Sequence, residues 1–498
     1  MGGGVYRSRL SKPLDGDAFH YLSSLSEDAE IFLEDILGTE AHVVMLYEQG
    51  LLSRLEVSKI LSAIERLRSL WIDGKLSLEG EYEDVHEFIE AFILKEAGIE
   101  VGGKVHTGRS RNDQVALDMR LRVRGYLLEI WRLLLDLAET LLSRAEEEQG
   151  TIMVLYTHLQ HAQIGYLSHY FLAHLDQLLR DLERLKSCYR RVNRSPLGAS
   201  AIGGSILPLN RLRVAELLGF EGIIENSVDA VSSRDFVLEA ASVSAILMAH
   251  LSRIAEDLVV WSSTEFGYVE LPDELASPSS IMPQKKNPCI LELLRARAGK
   301  VFGLLTSLLS IVKGVPTGYN RDLQESKPSL WEILKTTRDS LKILGKVFKG
   351  MTVKRERLLE AASKSYAPAV DLAELLIKHS GLSLREAHRV VGELVRRFTE
   401  EGRGLRSLDP ETLRNISQQV LGRAISLPEN TLNILKDVSR IPLERATRGS
   451  PNPKEIKRMI EERRRVLDEA EAELKSEVKK IREREEKLKE IISKLISK

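Results

Sequence analysis

Apolar residues recur along this chain at helical rather than strand spacing, and the runs are long. Between 113 and 148 there is no proline and one glycine, and Leu121, Leu128, Leu135 and Leu142 fall seven apart. At 3.6 residues per turn every seventh side chain returns to nearly the same face, so this repeat predicts a seam between packed helices. Residues 158 to 194 and 229 to 264 read as comparably uninterrupted helices. Two shorter helices are expected to open at Pro288 and Pro328, since a first turn needs no proline N–H. Five such helices predict a bundle. Strand alternation and hairpin dipeptides are nearly absent, so the expected fold class is all-α.

Breaks in the pattern suggest where domains divide. Shorter helices fill residues 1–105 and end in the glycine-rich IEVGGKVHTG, a plausible hinge before a central bundle at 106–361. Turn signals such as HSGLS and SLDPET mark a smaller helical domain at 362–450. The remainder, 451–498, changes character: Lys454 to Lys498 hold 15 basic and 12 acidic residues without glycine or proline. Leu467, Leu474, Ile481, Leu488 and Leu495 repeat every seven, with Val478 and Ile492 at intermediate seam positions. The expectation is a coiled-coil-like helix whose apolar stripe needs a partner, best supplied by its own assembly.

Charge and composition remove several classes. With 72 Lys+Arg against 73 Asp+Glu the chain has no global basic excess for nucleic acid. No stretch approaches the ~18 uninterrupted apolar residues of a membrane helix, so no membrane association is expected. The start, MGGGVYRSRLSKP, lacks an apolar signal core, and Tyr6 stands where myristoylation wants Ser or Thr, which suggests an untargeted cytoplasmic protein. Cys188 and Cys289 are far apart without a CxxC pair, arguing against a disulfide scaffold or zinc knuckle. His158 and His161 have metal-pair spacing but no third ligand beside them, so neither metal nor cofactor is expected.

The segment SPSSIMPQKKNPCILELLRARAG (277 to 299) concentrates unusual chemistry between two helices. One reading is a polar loop with solvated lysines, ending in Asn287 as a helix cap. The other is a mobile loop in which a serine is made basic by a nearby ammonium and a positive helix end.

That segment, with its serine pair followed by MPxKxN, resembles the signature of the fumarase/aspartase superfamily, and MPQKKNP resembles the argininosuccinate lyase family in particular. HTGRSRNDQVALD (106 to 118), YTHLQHAQ (156 to 163), PLGASAIGGS (196 to 205), ENSVDAVSSRDF (225 to 236) and GYNRDLQESK (318 to 327) are similar to the family's blocks, in order. The resemblance implies a three-domain helical lyase of arginine biosynthesis that takes argininosuccinate to fumarate and arginine without a cofactor. It implies Ser279 as base, with Ser280 open as the alternative, Lys285 as charge stabiliser, His158 as proton donor and Glu292 as its orienting carboxylate. Ser24, Arg111, Asn112, Thr157, Asn287, Tyr319, Gln324 and Lys327 match substrate-binding positions, and Arg109 shares the same motif. It further implies a homotetramer with active sites shared between subunits.

Three positions depart from the pattern: Pro278 where a glycine is usual, Cys289 for Asp and Ile164 for Pro. The last two dozen residues run past the family's usual end. Two other readings are a superfamily lyase acting on adenylosuccinate or aspartate, and a non-catalytic structural homologue.

Overall fold

The computed structural model describes Lys12 and residues 14–497; the N-terminal segment read above for targeting lies largely outside the described residues. Five long helices form the centre: Arg111–Glu147, Leu167–Val192, Asp235–Trp261, Cys289–Val312 and Ser326–Gly350. They pack against one another side by side, and the fold is all-α, with three short two-stranded sheets among the described residues. The heptad leucines of the first helix do what their spacing predicts: Leu121, Leu135 and Leu142 are buried and Leu128 is half-buried.

One helix, Asp235–Trp261, is long and apolar enough to cross a bilayer, with a mean hydropathy of 1.4 over its most apolar window. More than half of that window is buried against neighbouring helices, so its apolarity belongs to the bundle core. Cys188 is buried there and Cys289 opens the Cys289–Val312 helix, both as free thiols.

Three local expectations fail. The helix read from 158 begins only at Leu167, because residues 152–166 form an antiparallel hairpin, Ile152–Thr157 with Gln160–Tyr166. Its turn lacks the Asn-Gly signal, and its apolar strand IMVLYT cannot be told from helix by periodicity. The helix read from 229 to 264 is broken at Ser233 and Arg234. There the buried Arg234 turns its guanidinium onto the Val231 and Ser233 carbonyls, at 3.1 and 2.7 Å. Asn287 does not cap the helix after it; it pairs in a two-residue strand with Ser277.

A separate hydrophobic cluster joins residues from Leu372 to Leu435. The last helix, Pro453–Ile496, belongs instead to the main core. Leu467, Leu474, Leu488, Ile492 and Leu495 are buried, whereas Val478 is 44% exposed and is not a seam residue. The partner of the stripe is the chain itself: this helix packs on Arg111–Glu147 and on the N-terminal Arg54–Ile72 helix. Arg464 pairs with Glu139 and Glu146, and Arg484 with Glu216.

Candidate active site

Four chain segments converge on a cleft of about 170 Å³. The long Arg111–Glu147 helix starts there, held by a capping box in which Ser110 and Asp113 satisfy each other's backbone N–H groups. Asp113 also accepts from the Gly198 and Ser200 N–H groups at 3.0 and 2.8 Å, which moors the 196–205 loop to the helix start. Burial pushes the Asp113 carboxyl up to about 6 despite these bonds. Its first-turn neighbours Arg111 and Asn112 line the cleft; Asn112 Nδ2 donates to the Ala201 carbonyl at 3.0 Å.

Opposite them the short Arg321–Glu325 turn leads into the Ser326–Gly350 helix and brings Tyr319, Gln324 and Lys327. Lys327 is buried and paired with Asp28, whose second oxygen accepts from Ser24 Oγ at 2.8 Å. Six of the expected binding residues are therefore assembled in one place: Ser24, Arg111, Asn112, Tyr319, Gln324 and Lys327.

The cleft also holds residues that sequence reasoning missed: Asp28, Glu83, Asp84, His86 and Arg321. Arg111 reaches Asp84 at 3.0 Å and Arg321 reaches Glu83 at 3.0 Å. The available signal was local, since Asp84 caps the Val85–Ala97 helix through Glu87 N–H and so must sit at an element end. Three cations and three carboxylates thus face one small volume, a lining suited to a ligand carrying both carboxylates and a guanidinium or ammonium.

Behind His86 lies a fully buried group. His86 Nδ1 is bonded to Asp35 and lies 3.6 Å from Asp118. Burial works against the charged forms of Asp35 and His86, but each other's charge and hydrogen bond win, holding Asp35 below and His86 above its usual range. Burial, then the Asp35 charge, pushes the Asp118 carboxyl well above its usual range, against the pull of Arg109. The ligand-type atoms of Asp35, His86 and Asp118 lie within 4.8 Å of one another. The imidazole is already committed to Asp35, and the Arg109 guanidinium acts on both carboxylates, so this set is organised as an ion-pair cluster. Arg109 is buried with it, donating to Thr39 Oγ1 at 2.8 Å, and does not line the cleft.

The other expected residues stand elsewhere in the chain. His158 and Leu159 form the tip of the hairpin, both with positive φ, 55° and 57°. Left-handed backbone at non-glycine residues costs about 1–3 kcal/mol each and persists only where the surroundings impose it. The outcome is an exposed turn that presents Thr157 and His158.

Ser279, Lys285 and Asn287 belong to a second projection. The 279–285 loop is closed at its base by Ser277–Pro278 pairing with Lys286–Asn287. Pro278 therefore sits in the paired stem, outside the loop proper. Ser279 Oγ accepts the N–H groups of Ile281 and Met282, at 3.4 and 3.1 Å. Lys286 is tied to Asp273 and Glu270, while Lys285 is exposed and without an ion pair among the described residues. Glu292 lies exposed in the first turn of the following helix. No hydrogen bond links Thr157 or His158 to Ser279, Lys285, Asn287 or Glu292 among the described residues.

A model of the lyase family matches residues 20–303, and one described as the C-terminal part of argininosuccinate lyase matches 366–439. An EDDS lyase crystallised with formate superposes with a TM-score of 0.86 at 30% identity, covering 96% of this chain and 94% of that one. A class II fumarase from Schistosoma mansoni shares the fold, with a TM-score of 0.70 at 17% identity over 86% of this chain and 93% of its own. The helical bundle and these matches define the class, an all-α lyase enzyme. The argininosuccinate lyase of Nitrosopumilus maritimus is 42% identical over 99% of this chain and all of its own length. That of Methanocaldococcus jannaschii is 40% identical over 98% of both. The chain belongs to the argininosuccinate lyase family.

Proposed function

We propose that this enzyme carries out the β-elimination of argininosuccinate to fumarate and L-arginine, with the reacting groups supplied by more than one copy of the chain. The observation that supports this most is the cleft lining: Arg111, Arg321 and Lys327 against Asp28, Glu83 and Asp84. Argininosuccinate carries three carboxylates, an ammonium and a guanidinium, and needs both signs. Ser24, Asn112, Tyr319 and Gln324 supply hydroxyl and amide groups to orient it.

In the chemistry we assign, Ser279 removes the proton from the carbon next to one carboxylate. That makes an aci-carboxylate carrying two negative charges, which needs cations and N–H donors aimed at it. Lys285 and Asn287 fill that role. Two backbone N–H groups already point at Ser279 Oγ, and hydrogen bonds to an oxygen favour its charged form. The C–N bond then breaks, and His158 gives the departing guanidino nitrogen its proton, oriented by Glu292. Thr157 adds a substrate contact beside it.

The geometry favours a shared site. A cleft of about 170 Å³ is smaller than the ~300 Å³ or more that small-molecule sites span, and neither the hairpin nor the 279–285 loop contributes to its lining. The Cys289–Val312 helix also leaves Leu293, Phe302 and Leu309 exposed, at 53, 42 and 47%. An apolar face of that kind on a bundle helix suits association with further copies, which we take to be a homotetramer.

The test is fumarate release from argininosuccinate, with adenylosuccinate alongside, for wild type and Ser279→Ala. A base needed only in the transition state predicts at least a ~10²-fold loss of kcat with substrate binding retained. An active Ser279→Ala enzyme with an inactive Ser280→Ala partner would move the base by one residue.

A further inference from the structure

A cavity of about 620 Å³, larger than the catalytic cleft, lies between the root of the hairpin, the Ala369–Ser380 helix and residues 441–451. Its apolar walls are Leu155, Ile164, Leu375, Ile434, Ile441 and Pro451. Its charged groups are three carboxylates, Asp371, Glu374 and Glu444, against two cations, Lys378 and Arg445. We propose that this cavity is a second binding site, for a small organic cation: a guanidinium or ammonium on a short aliphatic stem.

The disposition of the polar groups decides the sign of the ligand. Arg445 spends its guanidinium internally, on Asp371 Oδ1 at 2.7 Å and Glu374 Oε2 at 3.6 Å. With the Gln163 amide turned to match, its oxygen accepts from both terminal nitrogens of Arg445 at 3.3 Å. An anion would find these donors occupied, with the exposed Lys378 as the remaining cation of the lining among the described residues. The opposite holds for the acceptors: Asp371 Oδ2 and Ser450 Oγ are buried and without a partner. Asp371 is 8% and Ser450 9% exposed, and both line the cavity.

A buried carboxylate oxygen without a donor is costly, and a ligand N–H would relieve that cost. The carboxylate excess favours a positive ligand, and the aliphatic walls suit a methylene stem. Leu155, Gln163 and Ile164 belong to the strands whose tip carries Thr157 and His158, so a bound cation would rest against the root of the same hairpin.

Burial first, opposed by Arg445 and reinforced by Glu374, pushes the Asp371 carboxyl up to about 6. The groups facing it are Arg445 and Glu374, with Lys378, Glu444 and His169 around the same cavity. A cation binds the ionised form, so affinity is full above that value and falls as pH drops through it.

The experiment is calorimetric titration of the full-length enzyme with agmatine, a guanidinium and an ammonium on one alkyl stem, and with succinate as an anionic control. Two variants are used: Asp371→Asn, which removes the charge, and Ile434→Trp, which fills the cavity and leaves the Asp371–Arg445 pair intact. Agmatine is expected to bind the wild type and to weaken at least about tenfold in both variants. Wild-type binding should also weaken on acidification below about 6, and at one fixed pH kcat/KM for argininosuccinate should stay within about twofold in both variants. Succinate should not compete. No agmatine binding at millimolar concentration overturns the proposal. So does binding that both variants retain, which would place the cation in the catalytic cleft.

Discussion

Lys327 is the place where stability and the proposed substrate-binding role can be tested apart. It is 4% exposed and its partner Asp28 is fully buried, so the pair lies in a low-dielectric pocket at the back of the cleft. Lys327→Met keeps the bulk of the side chain and removes only the ammonium. Asp28 is then left with the Ser24 hydroxyl as its one side-chain donor among the described residues. Stripping one partner from a buried ion pair costs about 3–5 kcal/mol, because the remaining charge cannot be resolvated. Asp28→Asn in the same chain removes that stranded charge, so the double variant should be more stable than the single by about 1–3 kcal/mol. Urea unfolding at one fixed protein concentration measures both. Activity should not follow stability. If Lys327 holds a substrate carboxylate, kcat/KM should fall about 10²- to 10³-fold in the single and the double variant alike, the equivalent of ~3–4 kcal/mol. A single variant that unfolds at the wild-type midpoint, or a double variant less stable than the single, would refute the buried-charge argument. A double variant with wild-type turnover would refute the binding role.

If sites are shared between copies, refolding inactive Ser279→Ala and His158→Asn chains together should restore a fraction of the active sites, and an inactive mixture would put both residues in one chain. Deleting residues 476–498 removes the buried Leu488, Ile492 and Leu495, each about 1.5–3 kcal/mol as an upper estimate, so Tm should fall while argininosuccinate turnover persists. The gentler Leu488→Ala should cost about 2–5 kcal/mol, and an unchanged Tm in both would show that this helix does not support the core. Burial, then its hydrogen bond with Glu65, pushes the Glu40 carboxyl up to about 8, against the pull of Arg68. The folded state thus holds a proton that the unfolded chain releases near 4.5. This site makes stability decline as pH rises from about 4.5 to 8, and Glu40→Gln should flatten the curve over that window, as urea midpoints at several pH values will show.

Periodicity by itself determined the helical class, the heptad seam from Leu121 to Leu142 and the long final helix, because those signals are local: one side of a helix must be apolar if it is buried at all. The ordered motifs likewise marked the residues of the cleft, Arg111 and Asn112 in one block and Tyr319, Gln324 and Lys327 in another. What local pattern could not contain was decided by tertiary structure. The left-handed turn at His158 and Leu159 has no glycine or asparagine to announce it; the two-residue closure between the paired Thr157 and Gln160 imposes it against the intrinsic preference of both residues. Arg234 interrupts a helical run without proline or glycine because a buried guanidinium takes the carbonyls at the break. Asp28 and Lys327 are 299 residues apart, and nothing near either foretells the other. A carboxylate and an ammonium become a binding element only when the folded chain removes the water between them, and that exclusion is a property of the packed molecule.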